Sequence, residues 1–147
     1  MKIYPFFKTT LLSLGAKKTV GARALVVDQD KVLLIEHTYM PEWYTIGGGV
    51  DKGETPKEAI LRELREEVGV EAHSLKLFNV YHKPAGKRDD YVVLYICDQF
   101  VEQNTRCALE IKEKKWFKFN ELPNAISPAT LRRIHEYQGK RDVSERW

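Results

Sequence analysis

Glu63, Glu66 and Glu67 stand at i, i+3 and i+4, a spacing that puts three carboxylates on one side of a helix. Like charges placed so repel by about 0.2–0.5 kcal/mol per pair. They also occupy the C-terminal half of the helix that their surroundings predict, where the backbone dipole disfavours anions. At about 100° per residue, Glu67 falls roughly 20° from Ile60 on the helical wheel. It therefore projects from the edge of the apolar stripe and not from the solvent side. Two readings follow. In the first, the acids form a solvated face paired with Lys57, Arg62 and Arg65, and Glu58–Arg62 and Arg62–Glu66 are i, i+4 pairs that fit it. Glu63 does not fit: its neighbours three and four residues ahead are Glu66 and Glu67, and those behind are apolar. In the second reading the acids hold a cation. All-oxygen donors favour Mg²⁺, with Mn²⁺ as the alternative, over zinc.

The wider pattern favours the cation. Residues 48–70 read GGVDKGETPKEAILRELREEVGV. This stretch resembles the Nudix box, G-x5-E-x7-R-E-U-x-E-E-x-G-U with U aliphatic. Gly48, Glu54, Arg62, Glu63, Leu64, Glu66, Glu67, Gly69 and Val70 fill every specified position. The resemblance implies cleavage of diphosphate linkages, a reaction in which cations neutralise the oxygens and a positioned water attacks. It implies that Glu63, Glu66 and Glu67 are metal ligands, joined by a backbone carbonyl of Gly47 or Gly48. Glu54 and Arg62 would order the loop against the helix, with a ligand role for Glu54 as the lesser alternative. The general base stays open among Glu67 and Glu63 on the helix and Glu110 on the loop before the family's last strand.

These side chains need a scaffold. Thr55 is placed as an N-cap, Pro56 as the first helical residue and Glu58 as the partner of a capping box. Gly69 is placed as the left-handed residue that ends the helix. Together they predict a helix over 56–68, with Ile60, Leu61, Leu64 and Val68 as its apolar stripe. Strands are predicted over 19–28 and 31–37, joined at Gln29-Asp30, and over 43–46, leading into Gly47-Gly48-Gly49. Further strands are predicted over 75–81, 91–101 and 115–119. A second helix over 127–138 is capped by Ser127, with Pro128 at its first position. The pattern alone gives an α/β class. The resemblance implies a Nudix-type α/β/α sandwich with a mixed β-sheet. It extends to Trp43-x-x-x-Gly47-Gly48 before the box and to Glu110-Ile-x-Glu-x-x-Trp116-Phe before Leu122-Pro123. It covers residues 19–137 of a single domain, 1–147, with residues 1–18 as an N-terminal extension.

Composition narrows the partners. A net charge of +3 over 147 residues suits an anionic small-molecule substrate and does not suggest a dedicated DNA or RNA binder. The two cysteines, Cys97 and Cys107, give neither a disulfide framework nor metal-ligand spacing, so a cytoplasmic protein is expected. No run is long enough to span a membrane. Residues 1–16 faintly resemble a signal peptide, but Pro5 and Lys8 interrupt the apolar stretch. Ile3, Phe7, Leu11 and Leu14 are near helical spacing and are expected to pack on the domain or on a second subunit as a homodimer.

The expected activity is Mg²⁺-dependent hydrolysis of a nucleoside diphosphate linked to another moiety: a nucleoside triphosphate, ADP-ribose or a nucleotide sugar. Arg23, Lys83 and Arg88, with Lys87, are candidates to meet phosphates, and Tyr44, with Tyr39, Trp43 and Tyr81, to stack on a base. Ile46 stands where most members of the resembled family have proline, and Glu36-His37 where several triphosphate-cleaving members carry basic residues. Pro84 lies near the position of a proline in many ADP-ribose-cleaving members, or else marks a plain turn. Alternative readings are pyrophosphate removal from RNA 5′ ends and a non-catalytic regulatory nucleotide-binding domain.

Overall fold

The computed structural model describes residues 18–147, so the N-terminal amphipathic pattern and the dimer expectation built on it lie outside the described residues. Strand β1 (Lys18–Asp28) turns at Gln29-Asp30 into β2 (Lys31–His37), and the two pair antiparallel from Asp28↔Lys31. The single strand expected over 43–46 is two strands, β3 (Met40–Tyr44) and β4 (Ile46–Gly49). The break falls at Thr45 because the partners change there: β3 pairs with β2, and β4 with β1. The Thr45 N–H leaves the ladder and donates to Thr130 Oγ1 at 3.3 Å.

Helix α1 (Pro56–Glu63) follows and passes into a π-helical turn (Leu64–Val68). Its start is the expected capping box, with Thr55 Oγ1 accepting from Glu58 N–H and Glu58 accepting from Thr55 N–H. Its end is the expected Gly69, at φ 67°, a left-handed conformation that favours glycine. Strand β5 (Val70–Ala85) and β6 (Arg88–Glu102) form a long hairpin, followed by β7 (Ile111–Lys118) and α2 (Pro128–Tyr137), which Ser127 caps. β5 begins well before the expected Leu75. Register shifts between Ala72 and Asn79 break the alternation that would have revealed its polar first half.

The strands make one mixed sheet of order β3-β2-β1-β6-β5, with β4 on β1 and β7 on β2. β1 and β6 run parallel, pairing from Lys18↔Asp89 to Val26↔Cys97. The other edge of β1 is shared: β4 takes Gly21 to Ala24 and β2 takes Val26 to Asp28. Strand alternation then sends side chains into two cores. Ala22, Ala24, Val26, Val93, Tyr95 and Cys97 meet Ile60, Leu64 and Val68 of the box helix. Leu25, Val27, Tyr81, Leu94 and Ile96 meet Ile134 of α2 on the opposite face. The result is the expected α/β/α sandwich. Each fully buried aliphatic anchor such as Ile60 or Leu64 contributes roughly 1.5–3 kcal/mol. Among the described residues no helix is long and apolar enough to cross a membrane.

Candidate active site

The loop from β4 to α1 is tied down by one guanidinium. Arg62 donates from Nε to Glu54 Oε2 at 2.9 Å and from Nη2 to Glu54 Oε1 at 3.0 Å, a fork-to-fork pair. Arg62 Nη2 also reaches the Gly49 carbonyl at 3.3 Å, and Glu54 Oε1 accepts the Asp51 N–H at 3.0 Å. Helix, loop and strand are therefore locked together through Glu54 and Arg62. Nη1 of the same arginine donates to Glu63 Oε1 at 2.8 Å, which fixes that carboxylate where the loop meets the helix.

Glu63 and Glu67 are both buried, at 2% and 4% exposure. Glu67 Oε1 accepts the Gly47 N–H at 3.2 Å. Burial, with the neighbouring Glu63 within hydrogen-bonding reach, pushes the Glu67 carboxyl well above its usual range; Arg23 and the Gly47 N–H pull it back. Glu66 differs: its side chain is 56% exposed, and Oε2 lies 3.7 Å from Arg62 Nη1. The π turn is the physical reason. A wider turn brings residues four apart closer to alignment and swings the residue three apart aside. The face expected for three acids is thus shared by two in this structure. Among the described residues no three acids, histidines or cysteines converge into a ready-made metal cage.

The pair opens into a cavity of about 230 Å³. Its floor is the face of β1 and β6 bearing Thr19, Gly21, Arg23, Asp90 and Val92. Further along β1 the same face carries Leu25 and Val27 and is covered by α2; where α2 does not reach, the floor is open. Gly47, Gly48 and Gly49 with Glu63 and Glu67 line one part, and His37, Tyr39, Met40 and Glu110 another. Lys83 and Arg88, at the end of the β5–β6 hairpin, also reach the lining. Arg23 Nη1 donates to the Thr45 and Gly47 carbonyls at 3.3 and 3.4 Å, which sets the guanidinium beside the glycine strand.

The chain has clear counterparts among known proteins. The family model described as NUDIX domain matches residues 17–138. The chain belongs to the Nudix family. It is 31% identical to a Bacillus subtilis (strain 168) protein provisionally named an 8-oxo-dGTP diphosphatase, over 86% of this chain and 85% of that one. It is 28% identical to diphosphoinositol polyphosphate phosphohydrolase 2 of Rattus norvegicus, over 82% of this chain and 69% of the relative. The crystal structure of a MutT Nudix hydrolase from Burkholderia pseudomallei superposes with a TM-score of 0.71 at 26% identity, covering 80% of this chain and 96% of that one. This Nudix chain is thus a hydrolase of a family that acts on pyrophosphate bonds, with nucleotide-type substrates and, in general, a divalent metal.

Within the Nudix site, the residues read from sequence separate into groups. Glu63, Glu67, Gly48, Arg23, Lys83, Arg88 and Glu110 all line the one cavity. Glu54 and Arg62 stand behind it as the lock described above, and Glu66 is turned to solvent. Tyr44 is outside the lining: its hydroxyl contacts Met40 Sδ at 3.6 Å and its ring lies 5.6 Å from His37. Trp43 and Tyr81 belong to the α2-side core. Ile46 is fully buried opposite Ala24, so the position that carries proline in other members here packs into the α1-side core. Pro84 pairs with Asp89 inside the hairpin, and the turn itself is Gly86-Lys87.

Sequence reading missed Thr19, Met40, Asp90 and Tyr91 as lining residues, and singled out His37 only as a departure from the basic residues of triphosphate-cleaving members. The donor set fits a hard divalent cation: two buried carboxylates, Glu63 and Glu67, in contact with each other beside the Gly47-Gly48 backbone.

Proposed function

We propose that this Nudix hydrolase is a Mg²⁺-dependent pyrophosphohydrolase of a small nucleotide, releasing a nucleotide and a phosphorylated product. The observation that carries the reading is the contact of two buried carboxylates, Glu63 and Glu67, in one cavity with three cationic side chains, Arg23, Lys83 and Arg88. Anions held by fixed cations beside a carboxylate pair are what a diphosphate requires. Glu63 and Glu67, with a carbonyl of Gly47 or Gly48, would hold the ion, and Glu66 would complete the set from the solvent side. Mg²⁺, when bound, would supply charge neutralisation at the phosphoryl oxygens and would make the attacking water more acidic.

The protein's own groups do the rest. Arg23, Lys83 and Arg88 bind the phosphate oxygens and hold the anhydride bond over the carboxylate pair. Glu110 reaches the cavity from the turn before β7, an element separate from the pair, and we assign it as the base that takes the proton of the attacking water. Glu67 is already committed to the Gly47 N–H and to Glu63. Water adds to one phosphorus as the bridging P–O bond breaks, and the departing phosphate leaves with the bridging oxygen. His37, Tyr39 and Met40 offer a flat, largely apolar wall for the nucleoside, with His37 and Tyr39 stacked at 5.1 Å.

The similarity to a protein named for 8-oxo-dGTP supports nucleoside triphosphates as the first substrates to test. The two free thiols, Cys97 and Cys107, suit a reducing compartment, so we assign the enzyme to the cytoplasm and read residues 1–147 as one domain. The test is a panel with Mg²⁺ and with Mn²⁺: canonical and oxidised nucleoside triphosphates, ADP-ribose, nucleotide sugars, and a 5′-triphosphorylated oligonucleotide. Turnover of a free nucleotide above the oligonucleotide supports the reading. Preference for the oligonucleotide moves the assignment to RNA 5′ ends, and Mg²⁺-independent binding without turnover moves it to a regulatory domain.

A further inference from the structure

Residues 144–147 lie along β5 like an added strand. Asn79 Nδ2 donates to the Ser144 carbonyl at 2.8 Å, the His82 N–H to the Glu145 carbonyl at 2.8 Å, and the Trp147 N–H to the His82 carbonyl at 3.0 Å. His82 and Arg146 form a parallel bridge. The segment is held on its other side by α2: Arg133 Nη1 donates to the Arg146 carbonyl at 3.2 Å, and Arg132 Nη2 to the Trp147 carbonyl at 3.2 Å.

Side chains reinforce the backbone on both faces. On one face, the Trp147 ring meets Tyr81 edge-on at 5.4 Å and lies 5.1 Å from the Arg133 guanidinium. Arg133 is fully buried and is held by Glu136, which also accepts the Tyr81 hydroxyl at 2.7 Å and the Ser144 N–H at 3.1 Å. On the other face, Arg146 Nη1 meets His82 Nδ1, while His82 Nε2 meets Asp89 Oδ1 at 2.7 Å across the hairpin. Asp89 pairs in register with Pro84, and Asp90 with Lys83.

The hairpin end needs this support. β5 is the edge of the sheet, and its 82–89 tip carries Lys83 and Arg88 into the cavity. β1 already backs β6 at Asp89 and Asp90, whereas the outer edge of β5 lies open to a further neighbour. The 144–147 strap supplies one at His82, next to Lys83, and His82 in turn holds Asp89, the neighbour of the Asp90 that receives Arg88 Nε at 2.9 Å. We propose that Arg146 and Trp147 are positioning residues for substrate binding: the strap fixes the hairpin that presents Lys83 and Arg88 to the anionic oxygens of the nucleotide. The proposal rests on the reading of Lys83 and Arg88 as substrate contacts.

The experiment compares Arg146→Ala and Trp147→Ala in the full chain, on the best substrate of the panel, with Lys83→Ala and Arg88→Ala alongside. Both strap variants are expected to raise KM about three- to tenfold with kcat within about twofold, since positioning is lost and the reacting carboxylates are untouched. Amide exchange over 82–89 should accelerate in both, and Trp147→Phe, which keeps a ring on Tyr81, should restore KM. Strap variants with unchanged KM, beside Lys83→Ala and Arg88→Ala variants with raised KM, overturn the strap proposal alone. Unchanged KM in all four removes the underlying reading of the basic pair, and the strap proposal with it. A fall in kcat matching the fall in kcat/KM also overturns it, because that pattern marks a change at the reacting atoms. If Trp147→Ala does not fold, Arg146→Ala, which keeps the Trp147 packing, decides the question.

Discussion

Glu63 occupies the space that a side chain on Gly48 would need. A Cβ at Gly48 would lie 2.6 Å from Glu63 Oε1 and 2.9 Å from its Cδ. Nor can Glu63 swing away cheaply, because Arg62 Nη1 holds the same oxygen at 2.8 Å. The glycine of the box is therefore a statement about the carboxylate fifteen residues on, as well as about backbone freedom.

Gly48→Ala is accordingly expected to displace Glu63 and break its Arg62 contact. We expect kcat to fall by about 100-fold, the scale of an ångström-sized misplacement, with a stability loss of about 1–3 kcal/mol from overpacking. Steady-state kinetics and urea denaturation measure the two separately. An alanine variant with wild-type kcat would show that Glu63 need not hold this position.

Glu67→Gln separates charge from shape. Glutamine keeps an oxygen for the Gly47 N–H, now at 3.2 Å from Glu67, but removes the like charge beside Glu63. Without metal, the variant should melt a few degrees above wild type, corresponding to about 1 kcal/mol. Mg²⁺ at a hundred times its Kd should stabilise wild type by about 2.7 kcal/mol, and the variant much less, while turnover falls by at least about 100-fold. Thermal melts with EDTA and with Mg²⁺ decide it. An equal Mg²⁺ shift in both proteins would remove Glu67 from the cation site.

Lys114 links the far end of the box helix to β7. Its Nζ donates to the Val68 carbonyl at 2.8 Å and lies 3.4 Å from Glu102 Oε1. A cation there satisfies a terminal carbonyl and opposes the negative end of the helix dipole. Lys114→Met keeps the stem and loses both, and should cost about 1–2 kcal/mol in urea denaturation. Since Lys114 touches neither the cavity nor its carboxylates, KM should stay within twofold.

Parts of this site were legible in the chain because their causes are local. Thr55, Pro56 and Glu58 start the helix within a single turn, Gly69 ends it, and Arg62 and Glu54 belong to one contiguous loop and helix. The π turn had no such marker. Ile60, Leu64 and Val68 run strictly at i+4, a hint visible only afterwards, and the turn decides that Glu66 faces solvent while Glu63 and Glu67 are buried. Of the cavity floor, only Arg23 was legible. Thr19 meets Asp90, and Gly21 meets Val92, only through the parallel β1–β6 register. That register joins segments about seventy residues apart, and no turn or cap between them records it.

His37 gives a prediction in pH. It is 8% exposed, its Nδ1 has no hydrogen-bond partner among the described residues, and burial together with Arg23 lowers its pKa from 6.5 to about 4. The native imidazole is thus neutral at pH values where an unfolded chain already carries the proton. Between about pH 6.5 and pH 4 unfolding takes up a proton here, so stability falls as pH falls through that window and levels off below it. His37→Phe keeps a ring against Tyr39 and abolishes the titration. Other groups titrate alike in both proteins, so the difference between their unfolding free energies isolates this residue. That difference should shift toward the variant as pH drops from 6.5 to 4, with a slope approaching about one proton, in urea denaturation at half-unit intervals. A difference that stays flat across the window means that His37 titrates alike in the native and unfolded chains, and that Arg23 and burial do not hold it neutral in the cavity.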